Sequence, residues 1–472
     1  MSATPSKKVD FRTVSESLTK DVVGRLTRAS RNSAVIAEAP PGAGKSTLTA
    51  AVARALTKED KKLRLAIVTQ TNEQADDLVV GIHSRYPDLT IARMVGGSGA
   101  SEGIAELVEA GSVLVGTNAD GADVRPARVI VSTARKWQYE RGRLKKGATF
   151  ETFPFALIDE AYQMRSDMLL GIAHLFDTLF CVGDPGQLDP FSVVDDSIWK
   201  GLPYSPARTA LGTLRAFHPH LEPLQMPTSW RLPPSAAGLV SKAFYPFTGF
   251  DAGTQPGDRE LRLGPSKRGK TTSVIDVDAV LAHAASTGWA YVERPERLTV
   301  RTDHEIAGVL ADLVARVLTR GATVVDERAS QGRALTAGNV AVIAAHNDQV
   351  HAVRFELRNR GVDPDSVIVS TANKIQGREY DVTFVWHPLA GRRDATSFHL
   401  EAGRMCVMLS RHRQACVVVG RAGAQRLLEE FPDSDPVFLD EPEKFPDGWE
   451  ANHTVLGHLA LHRIDGAPRS KR

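Results

Sequence analysis

A few short strings hold most of the chemistry of this chain. Ala39-Pro-Pro-Gly-Ala-Gly-Lys-Ser46 follows an apolar run, Ala34–Ala37, and opens a stretch rich in Ala, Val and Leu. Glycines at this spacing let backbone N–H groups turn onto phosphate oxygens, and a helix beginning there adds a favourable dipole. Ala39 stands where the P-loop pattern has its first glycine. Pro41, Gly42, Ala43, Gly44, Lys45, Ser46 and Thr47 are therefore candidate phosphate-binding residues. Lys45 would reach the β- and γ-phosphates, and the Ser46 hydroxyl would ligate magnesium. Phe155-Ala-Leu-Ile-Asp159-Glu160 is an apolar run that ends in two carboxylates. Asp159 suits a magnesium shell, and Glu160 suits the polarising of an attacking water. Taken alone, such a pair is more often a charge pair at a helix start.

These residues need a scaffold. The runs Ala34–Ala37, Leu65–Val68, Val129–Val131, Phe155–Ile158 and Leu179–Val182 alternate with helical stretches, the pattern of a parallel α/β sheet. Between about residues 185 and 335 the pattern weakens, and 251–272 reads as a Gly/Pro-rich surface excursion, its Ser266–Lys270 charges serving solubility. Runs return at Val340–Ala344, Val367–Ser370, Val382–Trp386 and Cys416–Val419, which predicts a second α/β domain. The expected divisions are a leader and one amphipathic helix over 1–32 with Leu18, Val22 and Leu26 on one face, domains over 33–215 and 216–440, and a tail over 441–472. A hydrophobic share of 42% suits full globular cores, and a net charge of +2 confines any nucleic-acid footprint to a local patch. The three cysteines lack zinc spacing, and no apolar stretch is long enough to span a membrane; a reduced, cytoplasmic location is expected.

Further strings follow in order. They are Val68-Thr-Gln-Thr-Asn-Glu-Gln-Ala-Asp-Asp-Leu78, Val129-Ile-Val-Ser-Thr133, Asp159-Glu-Ala-Tyr-Gln163 and Gly183-Asp-Pro-Gly-Gln-Leu-Asp-Pro190. Then come Ser229-Trp-Arg-Leu-Pro233, Ile375-Gln-Gly-Arg-Glu-Tyr-Asp381 and Gly403-Arg-Met-Cys-Val-Met-Leu-Ser-Arg411. Over about residues 34–420 this series resembles superfamily 1 helicases, in the branch that contains the nonsense-mediated-decay helicase. The resemblance implies two tandem RecA-like P-loop domains, each a mostly parallel sheet flanked by helices, with ATP and Mg2+ held between them. Lys45, Ser46, Asp159, Glu160 and Gln187 would come from the first domain, and Arg231, Gly377, Glu379 and Arg411 from the second. Arginines at the γ-phosphate would stabilise charge that spreads in the transition state. Glu379 would contact the ribose, and Trp230 would either stack on the base or anchor the core.

The resemblance also implies a single-stranded DNA or RNA partner, translocation in the 5′ to 3′ direction and a protein partner for loading or specificity. The alternative is an ATPase that clamps or remodels nucleoprotein without unwinding. No glutamine occurs before Gln70, so the adenine-reading glutamine of relatives has no counterpart and base preference stays open. Only 38 residues precede Ala39, too few for the barrel that relatives carry there, which favours translocation over unwinding. The stretch between Leu78 and Val129 has room for little more than a helical pair. Thr69, Thr71, Asn72, Ser132, Thr133, Ser370 and Thr371 follow apolar runs, where hydroxyls hold phosphates or cap helices. Arg135, Lys136 and Trp137 open a run to Lys146 that interleaves cations and aromatics. It is either a stacking platform for a single strand or a solvated charge run, and its place beside Thr133 favours contact.

Overall fold

The computed structural model describes residues 10–97, 102–144, 152–190, 199, 206, 208–266, 273–299, 302–431 and 447–464. Contacts divide the chain chiefly into one unit of Met1–Pro185 and Asp189–Met226, and a second of Pro227–Val437, which also takes Gly186–Leu188. Each unit is built on its own parallel sheet.

In the first unit the strands are β1 (Ser33–Glu38), β2 (Leu65–Thr69), β3 (Ile91–Met94), β4 (Val113–Gly116), β5 (Val129–Thr133), β6 (Phe153–Ile158), β7 (Phe176–Gly183) and β8 (Leu224–Gln225). They form one sheet in the order β4-β3-β5-β2-β6-β7-β1-β8, with every pairing parallel. Central strands are covered on both faces, which is why β2 is apolar at nearly every position and buried throughout. β3 and β4 occupy the stretch expected to hold only a helical pair; they are short strands, β4 at the sheet edge and β3 next to it, too brief to announce themselves as runs. Helix α1 (Phe11–Arg28) is capped by Asp10, and helix α2 (Lys45–Glu59) follows the P-loop. Val22, Val23 and Leu26 of α1 are buried in one core with Leu48, Val52 and Leu56 of α2, with Leu18 packed against it. Helix α3 (Asn72–Arg85) follows β2.

The second unit adds β9 (Thr228–Ser229), β10 (Asp251–Ala252), β11 (Glu260–Arg262), β12 (Trp289–Arg294), β13 (Thr323–Asp326), β14 (Ala329–Ala334), β15 (Val340–Ala344), β16 (Ile368–Thr371), β17 (Tyr380–Trp386), β18 (His412–Arg421) and β19 (Arg463–Ile464). Six of these form a parallel sheet in the order β16-β15-β17-β18-β12-β19. The segment where the pattern weakens supplies β12, an interior strand, and the helix His304–Thr319, whose Ile306, Leu310, Leu313, Val314 and Val317 face the core. It also supplies a small antiparallel sheet, β11-β13-β14. The Gly/Pro-rich stretch is thus not all excursion, since Leu261 of β11 is buried in the core; residues 267–272 lie outside the described residues. Among the described residues no helix is long and apolar enough to cross a membrane, and all three cysteines are buried and free.

One buried ion pair ties the second core together. Asp303 caps the helix His304–Thr319 and receives Arg421 Nη2 at 2.9 Å, while Glu305 takes the same guanidinium at 2.9 Å. Removing Asp303 takes away the helix cap and the buried partner of this guanidinium, leaving it only the part-exposed Glu305. Asp303→Ala should therefore destabilise the protein by about 3–5 kcal/mol, read as a lowered urea midpoint; a midpoint within error of wild type would contradict the assignment.

Candidate nucleotide site

The order β6-β7-β1 sets the site. Glu38 of β1 pairs with Gly183 of β7, and Ile158 of β6 pairs with Cys181, so three loops leave adjacent strand ends together. Ligands of open parallel sheets bind outside the carboxyl ends of the strands. The first of these loops is the P-loop, with Gly42 at φ 74° and Gly44 at φ 96°. Gly44 needs that left-handed backbone to start α2, and a side chain there would also meet the Phe11 ring at 3.3 Å.

Lys45, Ser46, Asp159 and Glu160 come together as the sequence predicts. Lys45 Nζ lies 3.5 Å from Asp184 Oδ2 and 3.7 Å from Glu160 Oε1, and the Ser46 hydroxyl donates to Asp159 Oδ2 at 3.2 Å. Asp184 is fully buried, and sequence reasoning missed it as the partner of Lys45, although it stands inside the conspicuous GDPGQLDP string. Burial, reinforced by the charge of Glu160, raises the Asp159 carboxyl above the usual carboxylate range. A hydroxyl and a carboxylate side by side, with a second carboxylate against them, are hard oxygen donors that would relax around a divalent cation. The donor set therefore fits Mg2+, with Ser46 and Asp159 as the residues to hold it. Glu160 adopts a left-handed backbone (φ 52°, ψ 45°), which for a non-glycine residue marks a held conformation.

The root of the P-loop is clamped by Glu38, a residue the sequence did not single out. Its buried carboxylate accepts from the Tyr162 hydroxyl, from Arg215 Nη1 at 3.0 Å and from Gln225 Nε2 at 2.8 Å. Burial and the charge of Glu38 together raise the Tyr162 phenol far above its ordinary value, so it stays a donor. One carboxylate thus joins the P-loop, the DEAYQ string and β8.

The candidate strand-binding residues divide. Thr71 caps α3 by accepting from Gln74 N, and Asn72 Oδ1 accepts from Arg93; both are exposed at the end of β2. Thr69 is buried and donates to Thr71 O at 3.1 Å, and Ser132 is buried and donates to Met94 O at 2.6 Å. Thr133 accepts from Lys136 N. Trp137 is a correction: it is fully buried, packs edge-on against Phe153 and Phe176, and donates to Ile67 O, so it cannot stack on a base. Lys136 is likewise committed, to the buried Glu140 at 2.8 Å. Among the described side chains of the run Arg135, Gln138 and Tyr139 are exposed, Tyr139 at 65%, and those of residues 141–146 lie outside the description. In the second unit Ser370 is half-buried and Thr371 buried at the end of β16.

In that unit Arg231 is buried and pairs with Glu379 at 3.2 Å, while donating to Gly377 O at 3.2 Å. Burial alone would raise the Glu379 carboxyl, but Arg231, Arg413 and Arg328 outweigh it and hold it at about 2. Arg328 and Glu327 arrive from the β13–β14 turn, a contribution no sequence string suggests. Arg411 is fully buried and bonds Val407 O and Ser410 Oγ. Gln187 is buried and packs in this unit, where a side chain on Gly403 would come within 2.4 Å of its carbonyl. Trp230 is half-buried with its ring laid over Gly253. Among the described residues no three His, Cys, Asp or Glu side chains form a metal-binding group.

The first unit's P-loop, paired carboxylates and parallel sheet define a P-loop nucleoside triphosphatase architecture. Two family profiles, each described as an AAA domain, match this chain, one over residues 20–202 and the other over residues 215–423. No curated protein matches the chain. Among solved structures, the PRRSV helicase matches at 15% identity and TM-score 0.37, covering 88% of this chain and 56% of that one. Arterivirus nonstructural protein 10 (helicase) matches at 14% identity and TM-score 0.39, covering 88% and 63%. A complex of that helicase with DNA matches at 13% and 0.39, covering 86% and 65%. The chain thus spans less than two thirds of each of these viral chains.

Glu38→Ala should free the root of the P-loop and leave Tyr162 and Arg215 without their acceptor. Titration with a fluorescent nucleotide should show affinity lowered about tenfold, the equivalent of one charge-assisted hydrogen bond. An unchanged affinity would reduce Glu38 to a packing role.

Proposed function

We propose that this protein is a superfamily 1 helicase-type motor of the nonsense-mediated-decay-helicase branch, hydrolysing ATP and moving 5′ to 3′ on single-stranded DNA or RNA. The observation that carries the reading is the cluster of Lys45, Ser46, Asp159, Glu160 and Asp184 at adjacent strand ends. In it Pro41–Thr47 cradle the phosphates and Lys45 meets the terminal ones. Magnesium, held through Ser46 and Asp159, would neutralise phosphate charge. Glu160 orients the attacking water and takes its proton. Arg231 and Arg411 are the proposed phosphate-facing cations of the second unit, with Glu379, Gly377 and Trp230 toward the nucleoside. Thr71, Asn72, Thr133, Arg135, Ser370 and Thr371 are the proposed strand contacts, all to the backbone and indifferent to sequence.

Lys45→Ala should abolish ATP turnover with the fold intact, because the side chain meets charge rather than packing apolar surface. Glu160→Gln should still bind nucleotide but turn over on the order of 10²–10⁴ times more slowly, as loss of a general base does. Normal turnover in Glu160→Gln would remove it from that role.

A single-stranded polynucleotide should raise the ATPase rate, and the stimulation should fall with salt along a log–log slope of about −0.7 per phosphate neutralised. Stimulation without strand displacement on tailed duplexes would favour a clamp or remodeller. No stimulation by any DNA or RNA at low salt would sink the motor reading.

A further inference from the structure

We propose that Gln74 and Gln163 are positioning residues that link the β2–α3 turn to Glu160, and that without a bound strand they hold Glu160 back. The proposal rests on the motor reading above, in which a strand docks at that turn. Gln74 Oε1 accepts from the backbone N–H groups of Gln70 at 3.0 Å and Thr71 at 3.1 Å. Gln74 Nε2 then donates to Gln163 Oε1 at 3.3 Å, and Gln163 Nε2 donates to Glu160 Oε2 at 3.2 Å.

The polarity of this chain is fixed from both ends. A backbone N–H can only donate and a carboxylate can only accept, so neither amide can be reversed without breaking two contacts. At the far end both oxygens of Glu160 are engaged, Oε2 by Gln163 and Oε1 facing Lys45 at 3.7 Å. Each oxygen is thus held by a neighbour, which fixes the orientation of the carboxylate.

The donors at the near end are those a phosphate at this turn would take. The Gln70 and Thr71 N–H groups lie at the start of α3, where Thr71 also caps the helix. A phosphate oxygen that accepts from them displaces Gln74 Oε1, and the freed amide no longer orients Gln163. Glu160 Oε2 is then released to the water it must polarise. The sign is that of activation by the strand, and the switch is a competition for two N–H groups rather than a distributed pathway.

Gln74→Glu separates this role from capping. Glutamate still accepts from Gln70 and Thr71, as the capping box permits, but it cannot donate to Gln163. Gln74→Glu and Gln163→Ala should each raise strand-free kcat about fivefold, the equivalent of one net hydrogen bond, with KM for ATP and the melting temperature unchanged. Stimulation by oligo-dT or poly-U should shrink by the same factor, and the double variant should match either single one. Wild-type basal rate and stimulation in Gln74→Glu would overturn the proposal, as would equal loss of basal and stimulated rates in both variants. A wild type that no polynucleotide stimulates would instead remove the motor reading on which the link rests.

Discussion

Two carboxylates meet one ammonium at the mouth of the first sheet, with a third beside them. Glu160 and Asp184 lie within 4 Å of Lys45, and the buried Asp159 stands next to Glu160 on the Ser46 hydroxyl. Burial, and after it the charge of Glu160, is why Asp159 gives up its proton reluctantly. The rest of the unit serves this convergence. Parallel pairing of β6, β7 and β1 is the only local arrangement that delivers the three loops to one edge, and burial of both sheet faces holds their register.

The second unit shows the complementary imbalance. Arg231, Arg259, Arg328, Arg333 and Arg413 gather around Asp326, Glu327, Glu379 and Asp381, five guanidiniums against four carboxylates. Glu379 stays ionised at a half-buried position because the arginines outweigh its desolvation. Arg231 in turn is held by Glu379 and by the Gly377 carbonyl, so an anion that claims Arg231 must compete with a carboxylate already in place. The short antiparallel hairpin β13–β14 matters here, for its turn supplies Glu327 and Arg328.

Much of this was legible in the chain. Strands buried on both faces must be apolar throughout, so Leu65–Val68, Val129–Val131 and Val382–Trp386 announce themselves as runs, and glycine spacing marks the P-loop. What stayed hidden is non-local. Strands β3, β4 and β11 are too short for periodicity, and Asp184 meets Lys45 only because β7 lies beside β1. Trp137 was misread because its basic neighbours suggest a surface. Its spacing from Ala134 carried the better clue, since positions three apart share a helix face and Ala134 turns inward. Tyr139 falls on the opposite side and is the exposed ring.

The DEAYQ and GDPGQLDP strings explain each other through packing. Glu160 sits in a left-handed backbone that, for a residue with a Cβ, costs on the order of 1 kcal/mol or more. That turn is kept because the chain after it lies directly on Gly183. A side chain at Gly183 would come within 2.9 Å of Tyr162 N and 3.2 Å of Ala161 N. The glycine that opens the second string is therefore required by the turn of the first. From the other side, Tyr162 is pinned by Glu38 at the end of β1. The strained carboxylate is thus fixed by a glycine on β7 and a carboxylate on β1, the two strands that also place Asp184 and the P-loop. Strain at Glu160 and position at Lys45 have one structural cause, so neither can be relaxed without moving the other.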